Sequence, residues 1–144
     1  MFRVLQVALG KRRTGRTVRH DPVFGPIEFE ARHGVETWCT PGDGPFPQVI
    51  VCAPATGPTH EQQAFFEQVQ ARLSELESEC RAFVASHAVA PCDANQLTMY
   101  SIVIPEGAGL ARKEFCVELS DDRAEAIHVI EYRGGGPTVY GLDD

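Results

Sequence analysis

The chain has 144 residues, a size that fits one domain (1–144), and its 43% hydrophobic and 23% charged residues are an ordinary globular balance. Thirteen basic against 20 acidic residues give a net charge of -7, which argues against nucleic acid as the main partner, since phosphate contacts need net positive patches. No apolar run approaches the length of a membrane span, so no membrane partner is expected.

The charge is unevenly placed. Residues 1–20 hold Arg3, Lys11, Arg12, Arg13, Arg16 and Arg19 and no acid, so every one of the 20 carboxylates lies in the rest of the chain. This stretch reads as a terminal strand over residues 2–9 followed by a basic loop over 11–20. The loop either rests on the protein's own acidic body or forms an arm for an anionic partner. The apolar run precedes the basic cluster, the reverse of a secretory signal. Five cysteines (Cys39, Cys52, Cys80, Cys92, Cys116) form no C-x-x-C pair and are odd in number. That pattern fits neither a disulfide framework nor a zinc site, and points to a reducing cytoplasm.

Asp21-Pro22 and Gly25-Pro26 are turn signals leading into Ile27-Glu28-Phe29-Glu30, a run that alternates apolar in and acidic out. Arg32-His33-Gly34 turns the chain into a second strand over 35–40, which predicts a hairpin. After a Gly- and Pro-rich loop at 41–47, residues 48–53 form a strand apolar on both faces, which places it centrally in a sheet.

Residues 59–88 read as one long helix. Phe66, Val69, Leu73, Leu76, Cys80, Phe83 and His87 recur at steps of three and four, the spacing that keeps a seam on one side of a helix. Thr59 and Gln62 have capping-box spacing, and no Gly or Pro occurs until Pro91. Burying the five large apolar seam residues would contribute roughly 7–15 kcal/mol gross, so a charge at Leu73 or Leu76 is expected to unfold the domain.

Residues 97–104 are again apolar on both faces, 114–120 alternate, and 126–133 form the last long strand. Their short links predict an antiparallel meander. Gly134-Gly135-Gly136-Pro137 breaks it, and 134–144 reads as a short strand or a flexible tail. The predicted fold is α+β: an antiparallel sheet of about six strands in two halves flanking one long helix, which covers one face. Two strands apolar on both faces then require a further cover for the second face: the N-terminal segment, a loop or a second copy of the chain.

No catalytic motif is present. Cys116 and His128 lie on successive strands and are the one candidate for a thiol with its base, against plain burial of a small side chain. The five histidines (His20, His33, His60, His87, His128) fall at no metal-ligand spacing, and no metal or cofactor is expected. Glu114 and Glu118 share a strand face, and Glu131 lies on the next strand. They read as a solvated row, as an acidic docking surface for a basic partner, or as an acid–base pair. The glycine run at 134–136 lacks a following helix and reads as a turn. Trp38 reads as core, with an interface anchor as the alternative.

Asp21-Pro22-Val23-Phe24-Gly25-Pro26-Ile27, followed by a strand carrying Trp38 and then a long helix, resembles a loose group of small bacterial domains of unknown function. These open with an Asp, a Phe-Gly and a short strand, with a Trp on the next strand. Some are regarded as immunity proteins that neutralise a partner toxin. The resemblance covers residues 21–90. It implies a bacterial protein-binding domain and brings no catalytic residues. Phe24, Gly25 and Trp38, with Leu73 and Leu76 of the helix, are expected to be structural. Three readings follow: a cytoplasmic protein-binding domain using Glu114, Glu118 and Glu131, a cysteine-dependent hydrolase or transferase, and a structural homodimer.

Overall fold

The computed structural model describes residues 17–43, 46–89, 92–122 and 125–143. The strand expected over 2–9 and most of the basic stretch lie outside these residues. Eight strands form one sheet in chain order: β1 (Val18–Asp21), β2 (Gly25–Arg32), β3 (Val35–Cys39), β4 (Gln48–Cys52), β5 (Thr98–Ile104), β6 (Phe115–Asp121), β7 (Ala126–Arg133) and β8 (Gly136–Asp143). Every neighbouring pair is antiparallel except β4 and β5, which are parallel. Between them the chain crosses over through α1 (His60–Ala71), α2 (Leu73–His87) and a 3-10 turn (Ala94–Gln96). A short α3 (Gly107–Ala111) links β5 to β6. No helix among the described residues is long and apolar enough to cross a membrane.

This corrects the expected six-strand antiparallel sheet flanking one long helix. A helical crossover returns the chain to the end where it started, so the strand after it runs parallel to the strand before it. The helix itself is broken at Arg72 (φ -121, ψ 29). Each half buries its own stripe on one face of the sheet: Gln62, Phe66 and Val69 from α1, and Leu76, Cys80 and Val84 from α2. Two shorter segments can each follow a twisted sheet that one straight rod would cross at a single angle. Leu73, beside the break, is half-buried, and Val84 takes the core place expected for Phe83.

Two strands escaped the sequence pattern. β1 falls where a loop was expected, since its four residues, Val-Arg-His-Asp, are mostly exposed and carry no alternation. β8 occupies most of the expected tail. The glycines before it make the β7–β8 turn, where Gly134 and Gly135 take φ of 62° and 96°, a region closed to most side chains.

The turn after β1 is held by its first residue. The Asp21 carboxylate, fully buried, accepts hydrogen bonds from the N–H groups of Val23 (2.8 Å) and Phe24 (3.0 Å) and from the Gln63 amide (3.0 Å). Burial alone would raise this carboxyl. The hydrogen bonds, helped by Arg19, outweigh it and hold Asp21 below the usual carboxylate range. Gly25 completes the turn at φ 76°. Phe24 packs on Phe66 with ring centroids 4.9 Å apart, and Trp38 is buried with its indole N–H donating to the Pro54 carbonyl at 2.8 Å. These are the structural roles expected for the three residues.

The capping box is present. The Thr59 hydroxyl accepts from the Gln62 N–H (3.2 Å), and the Gln62 side-chain oxygen accepts from the Thr59 N–H (3.0 Å). The Gln62 amide nitrogen does more than cap. It donates to the carbonyls of Cys52 (2.7 Å) and Pro105 (3.0 Å), joining the start of α1 to the ends of β4 and β5.

Candidate functional site

The starts of β3 and β6 and the ends of β4, β5 and β7 all meet at one end of the sheet, because the strand directions alternate about the parallel pair. A cavity of about 520 Å³ opens there, beyond the carboxyl ends of β4 and β5. That is where a sheet with a parallel step leaves a crevice between diverging connections. Its walls are Val35, Val103, Pro105, Phe115 and Tyr132, with the thiols of Cys52 and Cys116. Four carboxylates line it (Glu36, Glu106, Glu114, Glu131) against two guanidinium groups (Arg112, Arg133).

Both arginines are already engaged. Arg112 Nε lies 2.8 Å from Glu114 and Arg133 Nη2 lies 3.0 Å from Glu131. Among the described residues no cation is paired with Glu36 or Glu106, and both are exposed at the mouth. The cavity therefore presents apolar walls and an excess of negative charge.

The sequence candidates fall unevenly around it. Glu114 and Glu131 line the cavity. Glu118 shares their sheet face, but at 3% exposure its carboxylate meets no solvent; it accepts a hydrogen bond from the Ser101 hydroxyl at 2.9 Å. Burial pushes the Glu118 carboxyl up, the Ser101 bond opposes this, and Asp143 adds to it. A carboxyl raised in the folded state costs stability wherever it is ionised, and the cost fades as pH falls below its unfolded value. Glu118→Gln should therefore raise the urea midpoint at pH 7, and the gain should vanish near pH 4. Paired denaturation curves at the two pH values check both.

Cys116 and His128 do not meet. Cys116 stands opposite Glu131 and His128 opposite Leu119 on the paired strands. Positions 116 and 119 point to opposite faces of β6, so the thiol and the imidazole lie on opposite sides of the sheet. Burial, with Glu131 and Glu118 adding to it, pushes the Cys116 thiol up to about 12, and burial with Glu106 pushes Cys52 up to about 11. Both are thiols, not thiolates, at neutral pH.

His128 has other neighbours. Its Nε2 lies 3.8 Å from Cys92 Sγ and its Nδ1 2.9 Å from the Tyr140 hydroxyl, and Asp121 is close to both Cys92 and His128. Burial pushes His128 down despite Asp121, which favours the neutral ring. Sequence reasoning missed this group because its members come from three separate segments at no recurring spacing. The cavity's Glu36 and Glu106 were also missed, being single acids near strand ends.

No protein-family model matches the chain, and no curated protein or solved structure matches it significantly.

Proposed function

We propose that the domain is a binding module whose partner, a protein, places a basic side chain in the acidic cavity at the carboxyl ends of β4 and β5. The observation that carries this reading is the charge imbalance. Two of the four lining carboxylates hold the two arginines, and Glu36 and Glu106 remain to receive an incoming guanidinium or ammonium group beside apolar walls. Binding rather than thiol catalysis fits the cavity, because both of its cysteines are held protonated and neither has a histidine among the residues lining it. Five free thiols support a reducing compartment such as the cytoplasm. On the resemblance of residues 21–90, the partner would be a toxin and the domain its immunity protein.

The test is amide-shift mapping with N-acetyl-arginine methylamide, and with the N-acetyl-glutamate analogue as control. The arginine probe should move the signals of Gly34, Glu106 and Gly109, and the effect should weaken with added salt. Glu36→Gln with Glu106→Gln should weaken binding about tenfold, roughly 1.4 kcal/mol. Equal binding of the acidic probe, or a double variant that binds like the parent, overturns the reading.

A further inference from the structure

At the opposite end of the sheet from the acidic cavity, three segments distant in sequence bring a thiol, a carboxylate and an imidazole together. Cys92 lies between α2 and the 3-10 turn, Asp121 ends β6, and His128 stands near the start of β7. One ligand atom from each lies within 4.8 Å of the other two. We infer that Cys92, Asp121 and His128 form a binding site for a divalent transition-metal ion, zinc by preference, held by three protein ligands with a fourth position open.

The geometry is close to what such an ion needs. With a metal–sulfur bond of about 2.3 Å and a metal–nitrogen bond of about 2.0–2.1 Å, a tetrahedral ion spaces the two donors about 3.5 Å apart. The Cys92 Sγ to His128 Nε2 distance is 3.8 Å, so a small closure suffices. The donor set selects the metal class. Thiolate and imidazole suit zinc and its neighbours, whereas magnesium and calcium take oxygen ligands.

The imidazole is also oriented as a ligand would be. With its proton on Nδ1, donated to the Tyr140 oxygen at 2.9 Å, the Nε2 lone pair faces Cys92. A partner on the far ring nitrogen is the usual support of a metal-bound histidine. His128 is buried, while Cys92 and Asp121 are only partly so, which leaves the solvent side open for entry of the ion. Binding converts the Cys92 thiol to a metal-bound thiolate. The sulfur–hydrogen bond breaks, its proton goes to solvent, and no group is oxidised or reduced. None of this depends on the acidic cavity.

The test uses the full chain, stripped with chelator under reducing conditions and titrated with Co²⁺, then with Zn²⁺. Saturation at one ion per chain is expected, with a thiolate-to-cobalt charge-transfer band that Zn²⁺ abolishes and a proton released to the buffer. Cys92→Ser should remove the band, and Asp121→Asn, which leaves the thiol in place, should weaken binding of both ions. Tyr140→Phe, which keeps all three ligands, should weaken Co²⁺ binding about tenfold. Far-ultraviolet circular dichroism confirms that each variant is folded. Absence of the band in the parent overturns the inference, and so does a band that survives Cys92→Ser and is lost instead in Cys52→Ser or Cys116→Ser.

Discussion

Leu76→Asp should abolish cooperative folding, whereas Leu73→Asp should only weaken it. Leu76 is 2% exposed in the cluster that joins α2 to the sheet. Replacing it forfeits about 1.5–3 kcal/mol of apolar burial and places a carboxylate where no cation or hydrogen-bond donor is built to receive it. The combined cost, several kcal/mol, is comparable with a whole domain's net stability of about 5–15 kcal/mol. Leu73 stands beside the break at Arg72 and is half-buried, so its carboxylate can turn to water. A loss of about 1–2 kcal/mol there corresponds to a fall of roughly 3–6 °C in Tm. Thermal melts followed by circular dichroism separate the two. A Leu76→Asp protein that melts cooperatively near the parent would contradict the packing of α2.

The second large effect is expected at Gln62. Its side chain is fully buried and serves three partners: the Thr59 N–H and the carbonyls of Cys52 and Pro105. Gln62→Ala strands all three, at about 1–3 kcal/mol for each group that water cannot reach, so a loss of about 3–5 kcal/mol is expected. Gln62→Glu preserves the bond to Thr59 but turns the donor into a second acceptor facing two carbonyls. Its ionised form is therefore disfavoured in the folded state, and stability relative to the parent should recover as pH falls. Urea denaturation of both variants at pH 7 and pH 5 reads these effects. A Gln62→Ala midpoint equal to the parent's would mean that the amide is not what joins α1 to the sheet.

Local signals in the sequence predicted local structure well. The Thr59–Gln62 spacing is a capping box, Gly25 turns the chain at positive φ, and Trp38 and Phe24 are core residues. The two stretches apolar on both faces are β4 and β5, the middle strands of the sheet. What stayed hidden depends on contacts between remote segments. The parallel pairing of β4 with β5 follows from the path of the crossover, not from either strand's composition. The break at Arg72 carries no Gly or Pro to announce it. It appears only once α1 has the turn after β1 to pack on and α2 has β8. Glu114, Cys116 and Glu118 share a face as their alternation predicts, yet alternation cannot tell an exposed face from a buried one, and Glu118 is buried. The Cys116–His128 pairing failed on register, since adjacency of strands says nothing about parity.

Because the sheet is laid down in chain order, each described strand except at one junction finds its neighbour through a short link. The two four-strand meanders can zip from their own hairpins on microsecond timescales. Only the β4–β5 seam waits on closure of the long span through residues 53–97, whose entropic toll rises slowly with length. Assembly speed should accordingly be governed by how soon that crossover docks, which gives Gln62, the residue that anchors its first turn to both sides of the seam, a part in the kinetics as well as in the final state.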